Sequence, residues 1–192
     1  MEYGLAALMG YLFGALPISL IVARRHGVDL RRTGDGNPGA WNALEQLGAR
    51  RAWPAFVGDG AKAFVPAAAA QLLLGGFWPA YAAVAGAMVG HAFPLPRPSQ
   101  GGKSIMCFVG GAFALSPAAA AACALLALTT TAATSFAYGA RIAVFAFPLV
   151  QLITDPVEHV AGTGALMTFI GALFVSRRRA PASDGRGAAP TR

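Results

Sequence analysis

Long runs of uncharged, apolar residues constrain this chain more than any other feature of its sequence. Residues 3–23 contain no charge over 21 positions, and residues 104–139 contain none over 36. A transmembrane helix needs about 20 apolar residues, so the first run predicts one span. The second run is too long for one span and is broken at Ser116-Pro117, which predicts a short helix followed by a full one. Only 12% of the chain is charged, against about 25% in soluble domains, so we expect it to fold in a bilayer.

Four further apolar segments complete an all-α, polytopic membrane fold of about seven transmembrane helices. They cover roughly 53–75, 77–93, 141–154 and 158–176. We expect one membrane domain over residues 1–176 and a basic, disordered tail over 177–192, because the tail is rich in Arg, Pro, Gly and Ala. Glu2 rather than a basic cluster precedes the first segment, which predicts a retained helix and not a cleaved signal.

The positions of the basic residues support an odd number of spans. With seven spans and the N-terminus outside, the loops 24–52, 94–103 and 135–141 and the tail all face the cytoplasm, and they hold 14 of the 15 basic residues. With six spans, the first helix and the tail would require opposite orientations. Arginine clusters of this kind are typical of cytoplasmic membrane loops, so we expect membrane lipids and no nucleic acid among the partners.

Two glycine-rich loops fall at this same membrane face, TGDGNPGAWN at 33–42 and SQGGKS at 99–104. Glycine lets the backbone approach a ligand closely, and successive N–H groups can then bind an anion. Lys103 adds a positive charge, and the apolar run from Ile105 predicts a helix whose N-terminus points at the same place. The GKS triplet is not a P-loop, since Arg97 stands where the first glycine would be. Together the loops indicate a phosphate site; the alternative is that each only makes a tight turn between spans.

Three ionisable residues fall in predicted spans or at the end of one. Asp59 and Lys62 are three residues apart and therefore share a face of their helix. An ion pair within the membrane faces a polar cavity or a partner, so a catalytic role and a buried structural salt bridge both remain open. His91 could act as a general base near neutral pH, or it could support the following loop by hydrogen bonding.

Several classes of protein are excluded by what these segments lack. Asp59-Gly60 has none of the other aspartates of the phosphatidyltransferase signature, and no His is followed five positions later by Asp, as the His-x4-Asp acyltransferases require. Cys107 and Cys123 lie in apolar stretches without a CxxC pattern, so we interpret them as packing residues. Nothing in the motif pattern requires a metal or a cofactor.

Five motifs in order resemble the acyl-phosphate-dependent glycerol-3-phosphate acyltransferases, the PlsY-type membrane enzymes. They are LFGALPISL (12–20), DLRRTGDGNPGAWN (29–42), DGAK (59–62), GHAFPLP (90–96) and GGKS (101–104). The resemblance implies seven transmembrane helices in a bacterial plasma membrane, with the active site at the cytoplasmic face. It also implies transfer of a fatty acyl group from acyl phosphate to the 1-hydroxyl of glycerol 3-phosphate, which forms lysophosphatidate for phospholipid biosynthesis. Acyl phosphate has a good leaving group, so holding two phosphates and stabilising the oxyanion would suffice.

The resemblance also implies roles for individual residues, with no metal and no cofactor among them. The residues expected to be catalytic are Asn37, Lys103 and Asp35. Those expected to bind substrate are Gly36, Gly39, Asn42, Gly101, Gly102, Ser104 and Arg97. Asp59, Lys62 and His91 are expected to support the site.

The chain also departs from the family pattern. Asp35 replaces a serine between two glycines, Glu45 replaces an arginine, and the segment after the last span lacks the family's His and Asn. The first two changes make the local charge more negative by three units, which opposes binding of a phosphate dianion. Arg31, Arg97 or other arginines could compensate, or the acceptor could differ. These departures leave two alternatives open: a non-catalytic relative that binds phospholipid or acyl phosphate, and an acyltransferase with another acceptor. A third alternative is a small transporter, which the charged residues Asp59 and Lys62 within a predicted span would suit.

Overall fold

The computed structural model describes residues 1–176, and the tail predicted to be disordered, 177–192, lies outside the described residues. Within 1–176 the regular structure is entirely helical, as predicted. The helices are α1 (Glu2–Gly14), α2 (Ile18–Arg24), α3 (Ala40–Leu47), α4 (Ala49–Ala70), α5 (Phe77–Ala92), α6 (Ile105–Leu115), α7 (Pro117–Ala133), α8 (Phe136–Thr154) and α9 (Val157–Ser176). A π-helical turn, Gln71–Gly75, extends α4, and a short 3-10 turn, Pro98–Gln100, precedes α6.

Three boundaries differ from the prediction, and one is confirmed. The first apolar run is two helices, because Pro17 has no N–H to donate and the chain leaves helical geometry before α2. The polar loop 24–52 contains the amphipathic helix α3, and the predicted loop 135–141 is almost wholly the first turns of α8. The break at Ser116-Pro117 is confirmed, with Pro117 in the first turn of α7.

Three stretches of the described chain are long and apolar enough to cross a bilayer by length and composition. They are Glu2–Arg24, which joins α1 and α2, Phe136–Thr154 and Val157–Ser176. The apolar helices α6 and α7 are shorter, and α4 has the length of a span but carries charged residues such as Asp59 and Lys62. The count of seven spans therefore stays a prediction.

Close packing of α1 against α5 forms the centre of the fold. At Gly10 and Gly14 of α1, an added Cβ would overlap the backbone of Ala83 and Ala87 of α5, and the glycines of α5 meet α1 in the same way. Contacts that advance along both helices together show that α1 and α5 are parallel. Small residues at such a contact let two helix backbones approach closely, which is a common way for helices to associate in a membrane.

The two ends of the bundle differ in chemistry. Helix α5 begins at Phe77, whose ring centroid lies 3.6 Å from that of His159. The Tyr81 hydroxyl donates a hydrogen bond to the His159 carbonyl. Helix α5 ends beside His91, where α2, the 25–39 loop and the start of α6 meet. The candidate site lies at this second end.

Candidate active site

Asn42 organises the first glycine loop from beneath. Its side chain is fully buried on α3, and its amide donates to the carbonyls of Leu30, Thr33 and Asn37 at 2.9, 3.0 and 3.0 Å. These three bonds tie the backbone before, within and after the turn to one helix. Asn42 was expected to bind substrate; its amide donors are directed at the loop backbone instead, and a contact with substrate stays a prediction.

Asp35 links the two glycine loops. Its Oδ1 accepts the backbone N–H of Asn37 at 2.9 Å, which closes a tight turn around Gly36, where φ is +68°. Its Oδ2 accepts a hydrogen bond from Lys103 Nζ at 3.0 Å. Gly39 follows at the N-cap of α3. The first and second loops are therefore joined by an ion pair between residues 68 positions apart in sequence.

The second loop passes so close to α5 that side chains do not fit at its glycines. Gly102 donates its N–H to the His91 carbonyl at 3.0 Å, and an added Cβ there would overlap His91 Nε2 and lie 3.3 Å from Asn37 Oδ1. At Gly101 an added Cβ would overlap the Ala92 carbonyl. Ser104, expected to bind substrate, is buried and donates to the Met88 carbonyl at 2.7 Å. The loop thus brings Gly102, His91 and Asn37 to one point.

A buried polar cluster lies beneath that point. Lys62 Nζ is 2.7 Å from Asp59 Oδ1, and Ser19 donates to the other carboxylate oxygen at 2.6 Å. Lys62 Nζ is also 3.3 Å from His91 Nδ1. The sequence predicted the Asp59–Lys62 pair, and the structure connects it to α2 through Ser19 and to α5 through His91.

The cluster sets the hydrogen-bonding role of His91. The Lys62 ammonium can only donate, so His91 Nδ1 accepts and the proton of the neutral ring is on Nε2. Nε2 is the nitrogen that approaches Gly102. In this arrangement His91 presents an N–H donor, and not a proton acceptor, to the glycine loop.

A cavity of about 360 Å³ opens beside the cluster, between the α1–α2 break and the second loop. Arg24, Arg31 and Arg97 line it together with Lys62 and His91, and its walls include Gly101, Gly102 and apolar residues such as Leu20 and Leu95. Neither Asp nor Glu occurs among the lining residues of the described chain. A concave site with several cations and no carboxylate is suited to an anion with an apolar portion.

Arg31 is a half-buried cation in the wall of this cavity. Burial and the neighbouring charges of Arg24 and Arg97 lower the pKa of its guanidinium, while Asp29 raises it in part. Its Nε is buried and has no hydrogen-bond partner among residues 1–176. An anion in the cavity would both accept from this donor and relieve the repulsion between the arginines.

The cavity unites some of the predicted site residues and not others. Those that line it are Lys62, His91, Arg97, Gly101 and Gly102, whereas Asn37, Asp35, Lys103, Gly36, Gly39, Asn42, Ser104 and Asp59 do not. Neither Arg24 nor Ser19 was predicted as a site residue, although a serine within an uncharged run and a basic residue at the end of a span are signals that could have identified them. Within residues 1–176, no three or more His, Cys, Asp or Glu residues cluster as metal ligands would.

The fold and the site together define a helical membrane protein with a basic cavity, suited to an anion, at one end of the bundle. The family model described as glycerol-3-phosphate acyltransferase matches residues 4–182. The chain belongs to this family.

Individual relatives agree with that assignment. The glycerol-3-phosphate acyltransferase of Jannaschia sp. is 35% identical over 169 residues, which cover 87% of this chain and 83% of the relative. That of Rubrobacter xylanophilus is 35% identical over 113 residues, 59% of this chain and 57% of the relative. Among solved structures, PlsY, an integral membrane glycerol 3-phosphate acyltransferase, superposes in its glycerol 3-phosphate form with a TM-score of 0.77 at 27% identity, covering 92% of this chain and 88% of PlsY. Its lysophosphatidic acid form gives a TM-score of 0.76.

Proposed function

We propose that this protein transfers an acyl group from acyl phosphate to the 1-hydroxyl of glycerol 3-phosphate, with a substrate phosphate held in the arginine-lined cavity. The proposal rests on one observation: Arg24, Arg31 and Arg97 line the same cavity, and no Asp or Glu lines it within the part of the chain that the structure describes. Family membership supports the reaction class, and the PlsY structures in glycerol 3-phosphate and lysophosphatidic acid forms support the acceptor and the product.

The proposed chemistry needs little from the protein beyond binding and orientation. The acceptor hydroxyl attacks the acyl carbonyl carbon, a new C–O ester bond forms, and the bond from that carbon to the phosphate oxygen breaks. The hydroxyl proton leaves with the departing phosphate or passes to water. Arginine binds phosphate bidentately, so the cavity would fix the phosphate while the Nε2–H of His91 donates from the neighbouring wall.

The two carboxylates that depart from the family pattern lie outside the cavity lining. Glu45 is exposed on α3 and accepts a hydrogen bond from Trp41 Nε1 at 2.8 Å, and Asp35 is paired with Lys103. The negative charge that the sequence introduces is therefore partly neutralised or turned away from the phosphate. This supports glycerol 3-phosphate as the acceptor over an uncharged alternative.

We further propose that the site faces the cytoplasm of a bacterial plasma membrane and that residues 1–176 form one domain. The arginine cavity, the Lys103 loop and the start of α8, where Phe136 stacks 5.5 Å from Trp41, lie at the same end of the bundle. Basic residues concentrate at the cytoplasmic ends of membrane helices.

A Ser99→Cys variant tests the orientation, because Cys107 and Cys123 are buried and give little background labelling. A membrane-impermeant maleimide should label it in inverted vesicles and not in intact cells; the opposite pattern would overturn the orientation.

Turnover by purified protein tests the proposed function. Acyl phosphates of several chain lengths are supplied with glycerol 3-phosphate, glycerol or an amino alcohol, and lysophosphatidate and phosphate are quantified. We expect equimolar lysophosphatidate and phosphate with glycerol 3-phosphate only, and a large loss with Arg31→Gln. Binding without product at every chain length would identify a non-catalytic relative, and product with another acceptor only would change the assigned substrate.

A further inference from the structure

An ion pair lies beside the cavity rather than within its lining. Lys103 Nζ is 3.0 Å from Asp35 Oδ2, and it also lies 5.0 Å from the centre of the Phe174 ring on α9. The other oxygen of Asp35 accepts the Asn37 N–H at 2.9 Å. Because both carboxylate oxygens are engaged, Asp35 holds the Lys103 ammonium in a defined position.

We propose that Asp35 is a specificity-determining residue that serves as an internal counter-ion for Lys103 and competes with the substrate phosphate for that ammonium. The inference rests on the proposed function, since it takes Lys103 as a phosphate ligand from the adjoining loop. Lys103 directly follows Gly102, which lines the cavity, so a modest movement of its flexible side chain would bring the ammonium to an anion there.

The competition follows from charge. An ammonium attracts a carboxylate and a phosphate alike, but the two anions repel each other when they share it. A bound phosphate must therefore either displace Asp35 from Lys103 or bind close to the negative charge of the Asp35 carboxylate. In both cases it binds less tightly than it would with a neutral residue at position 35. The side chains of Lys103 and Asp35 are 23% and 43% exposed, so solvent weakens the pair and a strongly charged ligand can displace it. The pair thus favours dianionic ligands over weaker anions.

A variant with an amide at position 35 distinguishes the effect of the Asp35 charge from its effect on the shape of the loop. Asp35→Asn removes the charge but retains a side-chain oxygen that can accept the Asn37 N–H. Glu45→Gln is the matched control, because it removes one negative charge from the adjacent helix α3 and retains an acceptor for Trp41. A uniform change of the local field would affect binding equally in both variants, whereas direct competition would act only at position 35.

Calorimetric titration of glycerol 3-phosphate into the purified full-length protein in detergent measures the competition without requiring turnover. We expect Asp35→Asn to tighten binding by about two- to fivefold, the range for an exposed ion pair, and Glu45→Gln to change it less. In a Lys103→Met background, Asp35→Asn should give no such tightening, since the competition acts through the ammonium.

Three outcomes would overturn the inference. They are weaker or unchanged binding in Asp35→Asn, equal tightening in Glu45→Gln, and the same tightening when Lys103 is absent. A slower maximal rate in Asp35→Asn with unchanged binding would show instead that Asp35 takes part in the chemistry. Protein that binds glycerol 3-phosphate but forms no lysophosphatidate would contradict the proposed function and leave this comparison intact, so the two failures are distinguishable.

Discussion

The buried ion pair Asp59–Lys62 allows a quantitative prediction about the stability of the protein beside the cavity. The Lys62 side chain is 3% exposed and the Asp59 side chain 1%, and their charged atoms are 2.7 Å apart. Asp59→Ala would leave the Lys62 ammonium buried without its counter-ion. Breaking a buried pair from one side costs roughly 3–5 kcal/mol in the free energy of unfolding. We expect Asp59→Ala and Lys62→Met each to fall in that range.

A doubly neutral variant tests whether the cost comes from an uncompensated charge. In the double variant Asp59→Asn with Lys62→Met no buried ion remains, and the amide oxygen introduced at position 59 can still accept the hydrogen bond from Ser19. The double variant should therefore be more stable than either single variant. Unfolding in detergent can be followed with a thiol-reactive fluorophore, because both cysteines, Cys107 and Cys123, are free and buried. Single variants that lose less than about 1 kcal/mol, or a double variant that loses the sum of both, would refute this reasoning.

Two further variants test the glycine loops. Gly102→Ala should reduce turnover by about 100-fold, because its Cβ would displace His91 from the position that the loop requires; Gly164→Ala, where nothing lies within 4 Å, should match wild type in the same assay. Asn42→Asp retains the shape of the side chain but removes the donors to three carbonyls, so it should lower stability by about 1–3 kcal/mol in the thiol assay and weaken glycerol 3-phosphate binding. Wild-type turnover in Gly102→Ala, or unchanged stability in Asn42→Asp, would contradict the assigned contacts.

Features with local signals could be predicted from the sequence. The absence of charge over long runs predicted a helical membrane fold, and the proline after Ser116 predicted the break between α6 and α7. The spacing of Asp59 and Lys62 predicted a shared helix face, and the structure pairs them at 2.7 Å. Each of these depends on residues close together in the chain, where helix geometry determines which side chains meet.

Features that depend on distant contacts could not be predicted in the same way. Arg24, Arg31 and Arg97 meet only because the α1–α2 break and the second loop pack against each other, and single-sequence patterns carry no information about that packing. The burial of Asn42 was also hidden, because α3 was taken for part of a polar loop although its apolar residues cover one face. The departures at Asp35 and Glu45 predicted a more negative site, but the effect of that charge depends on where the two side chains lie, and neither lines the cavity.

A structure of the protein with glycerol 3-phosphate bound would show whether the arginine cavity holds the substrate phosphate. We expect the phosphate in the cavity within hydrogen-bonding distance of the Arg31 guanidinium and close to Gly102, with Arg24 and Arg97 on its flanks. If the phosphate of glycerol 3-phosphate lies elsewhere and the arginine cavity holds only solvent, the proposed phosphate site is wrong.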